Sequence, residues 1–265
     1  MAAVAAPVLR AVLLGASNLT VALPFLIDDL RRTAGGPVEV LAACGHGRSY
    51  GRWSRFLFIR HLPGITRCGL WTDLESRPLL PTVALLTDVG NDLAYGELPE
   101  TVANWVETCL VRLAGQGAGQ GATTVCTLLP LHGLEKLSNL RYYAARSILF
   151  PGRRVSRRAL LERARELDCQ LRRLAREHEA RTVEPEASWY GIDPIHVRRR
   201  WRRRVWDLIL AQWPLPQTPQ PEGLERRTPV RLPVLGAEEL RLFGLPRRHA
   251  QPACCLADGT TVALY

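Results

Sequence analysis

Five short apolar segments that alternate with helix-like segments constrain the fold of this chain more than any other feature. They cover residues 12–14, 38–43, 82–86, 123–129 and 182–184. Continuous aliphatic runs of this length are typical of parallel strands buried on both faces, and the alternation places helices over such a sheet. The chain has 265 residues, 47% of them hydrophobic, and can bury one substantial core. We therefore predict an α/β fold with a mostly parallel five-stranded sheet.

Glycines and polar residues follow the first three strands directly. Ser17 follows the first strand, the loop 44–47 with its two glycines follows the second, and Gly90-Asn91-Asp92 follows the third. Open α/β sheets bind ligands at the carboxyl ends of their strands, so we expect these residues to meet at one site. Ser17 or Asn18 could equally serve as the N-cap of the helix that follows.

An aspartate and a histidine stand three positions apart in Asp193-Pro194-Ile195-His196. At this spacing the carboxylate can accept a hydrogen bond from Nδ1 of the imidazole and leave Nε2 free to take a proton. A serine hydroxyl needs such a base to become a nucleophile. Aspartate before proline is also typical of a helix start, and both roles can hold together.

A second serine competes for the nucleophilic role. Gly47-Arg48-Ser49-Tyr50-Gly51 matches the G-x-S-x-G pattern of the α/β-hydrolase nucleophile elbow. That elbow requires several strands and an oxyanion loop before its own strand, whereas only the strand at 12–14 is predicted before the strand 38–43 that leads to Ser49. The pattern therefore favours Ser17 over Ser49.

The blocks around Ser17, Gly47, Asn91 and Asp193, taken in this order, resemble those of the SGNH hydrolase superfamily, also called GDSL-type esterases and lipases. The resemblance covers about residues 10–213. It implies a flavodoxin-like three-layer α/β/α sandwich with strand order 2-1-3-4-5.

The resemblance also implies roles for individual residues. Ser17, His196 and Asp193 match the catalytic triad, and the oxyanion hole would combine the Ser17 and Gly47 N–H groups with the Asn91 side chain. Gly45 is the other possible register for the glycine. The first block of the family usually reads Gly-Asp-Ser, but this chain has Ala16 in place of the aspartate, so local support of the nucleophile is expected to differ.

The expected function is hydrolysis of small-molecule esters through an acyl-enzyme, with no metal or cofactor. Two other classes stay open. One is a non-catalytic scaffold with the same fold, and the other is a protein that binds nucleic acid or another anionic ligand through the arginine-rich helix 198–204. The formal charge of +10 comes almost entirely from arginine and points only weakly to anionic partners.

The remaining predictions concern organisation and location. Residues 1–213 are expected to form the catalytic domain, and residues 214–265 a proline-rich linker and an extension with a β-hairpin at Asp258-Gly259. No apolar run is long enough for a membrane-spanning helix. Seven scattered cysteines favour reduced thiols, and hence a cytoplasmic protein.

Overall fold

A computed structural model of the chain describes residues 5–57, 59–116, 121–139, 142–143, 155–191, 193–215, 230–232 and 236–265. The helices are α1 (Ser17–Ala34), α2 (Leu70–Ser76), α3 (Asn91–Ala94), α4 (Pro99–Ala114), α5 (Leu131–Glu135), α6 (Arg157–Glu177) and α7 (Arg202–Leu210). The strands are β1 (Leu9–Leu14), β2 (Val38–Ala43), β3 (Ser54–Phe56), β4 (Arg60–Leu62), β5 (Thr82–Leu86), β6 (Thr123–Thr127), β7 (Arg181–Val183), β8 (Glu239–Leu242), β9 (Leu245–Arg248), β10 (Cys254–Cys255) and β11 (Thr261–Leu264).

The predicted strands form the centre of a parallel sheet. β2, β1, β5, β6 and β7 lie side by side in that order, which is the 2-1-3-4-5 order of a flavodoxin-like fold. Every residue of β1, β2 and β5 is buried, as their aliphatic runs predict. Apolar side chains of α2, α4 and α6 cover one face of the sheet, and those of α1 and α7 cover the other. The result is the predicted three-layer sandwich.

The central sheet has seven strands, so the prediction of five was too low. β11 pairs in parallel with β2, and β10 pairs antiparallel with β11. The turn between them contains the predicted Asp258-Gly259, where Gly259 adopts a φ of +98° that favours glycine. Strands β10 and β11 therefore belong to the same sheet as β1, β2, β5, β6 and β7, and the domain boundary at 213/214 stays a prediction.

A second, four-stranded antiparallel sheet was not predicted. Two hairpins form it in the order β3-β4-β8-β9, and β4 pairs with β8. β3 and β4 each have three residues and carry an arginine. Strands this short show no clear alternation of apolar and polar residues.

The arginine-rich helix is shorter than predicted. α7 begins at Arg202, and residues 198–201 form turns before it. The basic residues 198–204 therefore do not lie on one continuous helix. Among the described residues, no helix combines the length and hydropathy needed to cross a bilayer.

Candidate active site

Ser17 lies where β1 passes into α1. It is the first residue of α1 and is largely buried. The turn needs Gly15, because a Cβ there would lie 2.6 Å from Cγ2 of Thr87. The Ser17 N–H donates to no described residue, and the N-terminus of a helix carries a partial positive charge. Its hydroxyl and amide therefore lie together at a place that favours negative charge.

The structure brings Ser17, His196 and Asp193 into one line of hydrogen bonds. Ser17 Oγ lies 2.8 Å from His196 Nε2, and His196 Nδ1 lies 2.6 Å from Asp193 Oδ2. The other carboxylate oxygen of Asp193 accepts the N–H groups of Ile195 and His196, at 3.0 and 3.2 Å. Asp193 thus stabilises a bend around itself rather than the first turn of a helix, and this bend fixes the distance to His196.

The electrostatics of the pair suit a proton acceptor. The hydrogen bond with Asp193 raises the pKa of His196 above its ordinary value of 6.5, although burial opposes the shift. Burial by itself raises the pKa of Asp193, but the hydrogen bond and charge of His196 outweigh it and leave that pKa below the usual range. The carboxylate therefore stays ionised beside an imidazole that is more basic than usual.

Asp88 caps the helix that begins at Ser17. No motif in the sequence indicates this role. One oxygen of its carboxylate accepts the N–H groups of Ala16 and Asn18, at 2.9 and 3.0 Å. Asp88 itself has a left-handed backbone with φ of +60°, which is uncommon outside glycine. The cap of α1 therefore comes from the end of β5, and neither Ser17 nor Asn18 serves as the N-cap.

Asn18 connects this cap to the histidine loop. Its Nδ2 donates to Asp88 Oδ1 at 2.7 Å and to the Ile195 carbonyl at 2.9 Å, and its Oδ1 accepts the Val197 N–H at 2.9 Å. The two backbone contacts lie on either side of His196. Asn18 therefore holds the histidine loop against the helix that carries Ser17. Its position directly after Ser17 was the one available signal, and no known spacing marks it.

We expect Asn18→Ala to lower kcat on the order of 10²-fold, since a displacement of about 1 Å at a catalytic group has that cost. KM should change much less, because Asn18 positions the histidine through its backbone. The pH midpoint of kcat/KM should also move, since the contact of His196 with Asp193 would loosen. Steady-state kinetics against pH measure both effects.

Asn104→Ala, at an exposed site on α4, is the matched control. An Asn18→Ala enzyme with normal kcat and an unmoved midpoint would show that Asn18 has no positioning role.

Asn91, the first residue of α3, has a buried side chain that faces the same cavity as Ser17. Its Nδ2 has no hydrogen-bond acceptor among the described residues. A buried amide donor without a partner is unusual and costs free energy. It is therefore available to a negative oxygen that forms beside Ser17.

The glycine loop, residues 44–47, contacts the residue that follows α3. Tyr95, the residue after α3, donates its hydroxyl to the Gly47 carbonyl at 2.6 Å, and Gly47 has a φ of +67°. The Gly47 N–H donates to no described residue. Gly45 has a different steric role, because a Cβ there would lie 2.3 Å from Leu62 Cδ1. The Gly45 N–H likewise donates to no described residue, so the choice of Gly47 rests on the sequence resemblance.

Asn91→Ala should fold normally and lose on the order of 10² to 10³ in kcat, the cost of one oxyanion donor. Its stability should change little, because no described acceptor loses a partner. Thermal unfolding and kcat on the same preparation measure the two properties. Unchanged turnover would remove Asn91 from the proposed hole.

Ser49 has a structural position that differs from an exposed nucleophile elbow. It is fully buried, its hydroxyl donates to the Asp92 carboxylate, and its Oγ accepts the N–H groups of Gly51 and Arg52 at 3.2 and 3.1 Å. Burial raises the pKa of Asp92 to about 6, although the hydrogen bonds from the Ser49 hydroxyl and the Tyr50 N–H oppose the shift. Ser49 therefore satisfies a buried carboxyl group, and the structure places no histidine against its hydroxyl within the described chain.

An apolar cavity opens beside Ser17. Its volume is about 890 Å³, counted with the space that opens to solvent. Its polar lining residues are Ser17, Asn18, Asp88 and Asn91. The apolar wall is formed by Leu93, Ala94, Leu129, Leu134, Leu137, Tyr142, Leu160, Ala164, Pro194 and Ile195.

Comparison with known proteins gives a likeness in structure. No protein-family model matches the chain, and no curated protein sequence matches it. The chain is similar to the native aryl esterase of M. smegmatis, with 14% identity, a TM-score of 0.48, and coverage of 77% of this chain and 100% of that one. It is also similar to AlinE4, an SGNH-hydrolase family esterase, with 15% identity, a TM-score of 0.41, and coverage of 76% and 93%.

Proposed function

We propose that this protein is a serine ester hydrolase of the SGNH type, with Ser17 as nucleophile. The observation that carries the proposal is the continuous contact from Ser17 Oγ through both ring nitrogens of His196 to Asp193. Serine acyl transfer requires a hydroxyl that is hydrogen-bonded to an imidazole, with the other imidazole nitrogen hydrogen-bonded to a carboxylate.

The reaction has two steps. His196 Nε2 takes the Ser17 proton as Oγ attacks the ester carbonyl, and the resulting oxyanion is stabilised by the N–H groups of Ser17 and Gly47 and by Asn91 Nδ2. The proton passes to the departing alcohol, which leaves an acyl group on Ser17. Water then attacks the acyl carbon while His196 takes a proton from that water. His196 returns this proton to Ser17 Oγ as the bond from Oγ to the acyl group breaks, and the carboxylic acid is released.

The apolar cavity supports a choice of acyl group. None of the ten residues named above as its apolar wall carries a charge, so an aliphatic acyl chain can bury its surface against them. Part of the wall, including Leu134, Leu137 and Tyr142, comes from the segment after β6. We propose aliphatic acyl esters longer than acetate as substrates, with the chain in this cavity.

The test is a series of p-nitrophenyl esters from acetate to octanoate. We expect kcat/KM to rise about fourfold for each methylene group that becomes buried. Ala94→Phe, at a partly exposed position in the wall, should abolish this rise and leave acetate hydrolysis almost unchanged. Ala114→Phe, at the exposed end of α4, is the matched control. A flat series with hydrolysis intact would reject the acyl site, and no hydrolysis of any ester would reject the enzyme.

Binding of nucleic acid is the weaker candidate. Arg200 and Arg204 lie 5.8 Å from the Trp201 ring, and Arg203 lies 3.8 Å from Asp207. These arginines have local partners and do not share one continuous helix.

A cytoplasmic location remains a prediction from the cysteine pattern, and the seven thiols form no disulfides.

A further inference from the structure

The turns of the two hairpins of the second sheet lie next to each other and expose large apolar side chains. The Phe243 N–H donates to the Ile59 carbonyl at 2.8 Å, which joins the β8–β9 turn to the β3–β4 turn. Leu57, Phe243 and Leu245 are 66%, 72% and 59% exposed, and Ile59 is 40% exposed. We call these four residues the hairpin tips. Large apolar side chains grouped at a protruding point mark an interaction site.

The backbone at the hairpin tips is unfavourable for the residues that occupy it. Leu57 and Phe243 have φ angles of +49° and +50°. Glycine, asparagine and aspartate adopt this left-handed conformation most easily, and a bulky apolar residue there is an outlier. Neither side chain gains from burial within the fold that would offset this cost. The tips therefore have a use outside the folded chain itself.

The strands behind the tips are basic. Residues 52–62 and 239–248 contain six arginines and one acidic residue, Glu239. Arg52 pairs with Glu97 and two side-chain nitrogens of Arg60 are buried, so the surface charge comes mainly from the β8–β9 hairpin. Arg241 lies 4.6 Å from the half-exposed ring of Trp53, and every residue of β9, including Arg247 and Arg248, is exposed. Apolar hairpin tips next to arginines are complementary to a bilayer in which anionic headgroups cover the acyl chains.

We propose that the hairpin tips insert into the interface of an anionic lipid bilayer, with the arginines of the second sheet on the headgroup phosphates. A second copy of the chain is a poorer occupant, since the exposed edge strand β9 contains Pro246, which cannot donate a backbone hydrogen bond to a partner strand. The proposal is independent of ester hydrolysis.

The test is flotation of the full chain with vesicles of phosphatidylcholine, with or without phosphatidylglycerol. Wild type should float with the anionic vesicles, less so at high salt and little with the neutral ones. Leu57→Asn and Phe243→Asn should each weaken binding by about tenfold or more. Asparagine tolerates the left-handed backbone, so both variants should keep the fold. Leu79→Asn, 65% exposed before β5, is the matched control and should bind as wild type does.

Three outcomes would overturn the proposal. The first is absence of wild-type binding to anionic vesicles, and the second is equal binding by the tip variants with unchanged thermal unfolding. The third is a tip-dependent dimer in sedimentation velocity, or tip-dependent binding to duplex DNA, without vesicle binding. Ser17→Ala should bind vesicles normally, so loss of hydrolysis and loss of docking are distinguished.

Discussion

Ser17→Ala is expected to lower kcat on the order of 10⁶-fold, because it removes the proposed nucleophile from a triad whose members are proposed to act as a unit. Among the described residues the hydroxyl hydrogen-bonds only with His196, so thermal unfolding should be almost unchanged. A fluorophosphonate probe should label wild type and leave the variant unlabelled.

Trypsin separates the two candidate serines. Cleavage after Arg10 and Arg31 places Ser17 in peptide 11–31, whereas cleavage after Arg48 and Arg52 places Ser49 in peptide 49–52. Ser49→Ala should still be labelled on Ser17. It should also unfold at a lower temperature, because the buried Asp92 carboxyl loses a donor. Label on peptide 49–52 would contradict the proposed mechanism.

Asp193→Asn is expected to lower kcat on the order of 10⁴-fold, since the amide no longer holds the imidazole in the required tautomer. A base must be neutral to accept a proton, so wild-type kcat/KM should rise with pH through the pKa of His196, at a midpoint above 6.5. Asp193 is the main cause of that raised pKa. In the variant the midpoint should therefore move to lower pH.

Asp207→Asn, on the partly exposed surface of α7, is the matched control and should keep both kcat and the midpoint. The measurement is the pH profile of kcat/KM for one ester with all three proteins. An Asp193→Asn midpoint equal to that of wild type would show that another group titrates on the acid limb.

Local pattern predicted the parallel sheet because its strands are buried on both faces and are therefore aliphatic throughout. The same reasoning placed Ser17 and Asn91 after strand ends, and the structure brings both to one cavity. The Asp193/His196 pair was indicated by its spacing of three residues. Asp88 could not be found this way. Its role depends on a left-handed backbone and on contacts about seventy positions away in sequence. Asn18 likewise gains its role from a loop 177 positions later.

The strand count failed for a related physical reason. β11 is a four-residue run whose pairing with β2 joins distant parts of the chain, and no periodicity within either strand encodes a partner. The second sheet has the same origin, since β4 and β8 are short strands from opposite ends of the sequence. Contacts between remote segments are set by tertiary packing, which local patterns do not contain.

The pairing of β11 with β2 also affects the order in which parts of the sheet fold during synthesis. Val38 donates its N–H to Thr260 Oγ1 at 3.2 Å across 222 positions of chain, so the outer side of β2 stays unpaired until nearly all of these residues have been translated. An open strand edge is a template for pairing with other chains, and non-local contacts form slowly. Ribosomes that stall before residue 261 should therefore yield aggregation-prone intermediates that need chaperone protection.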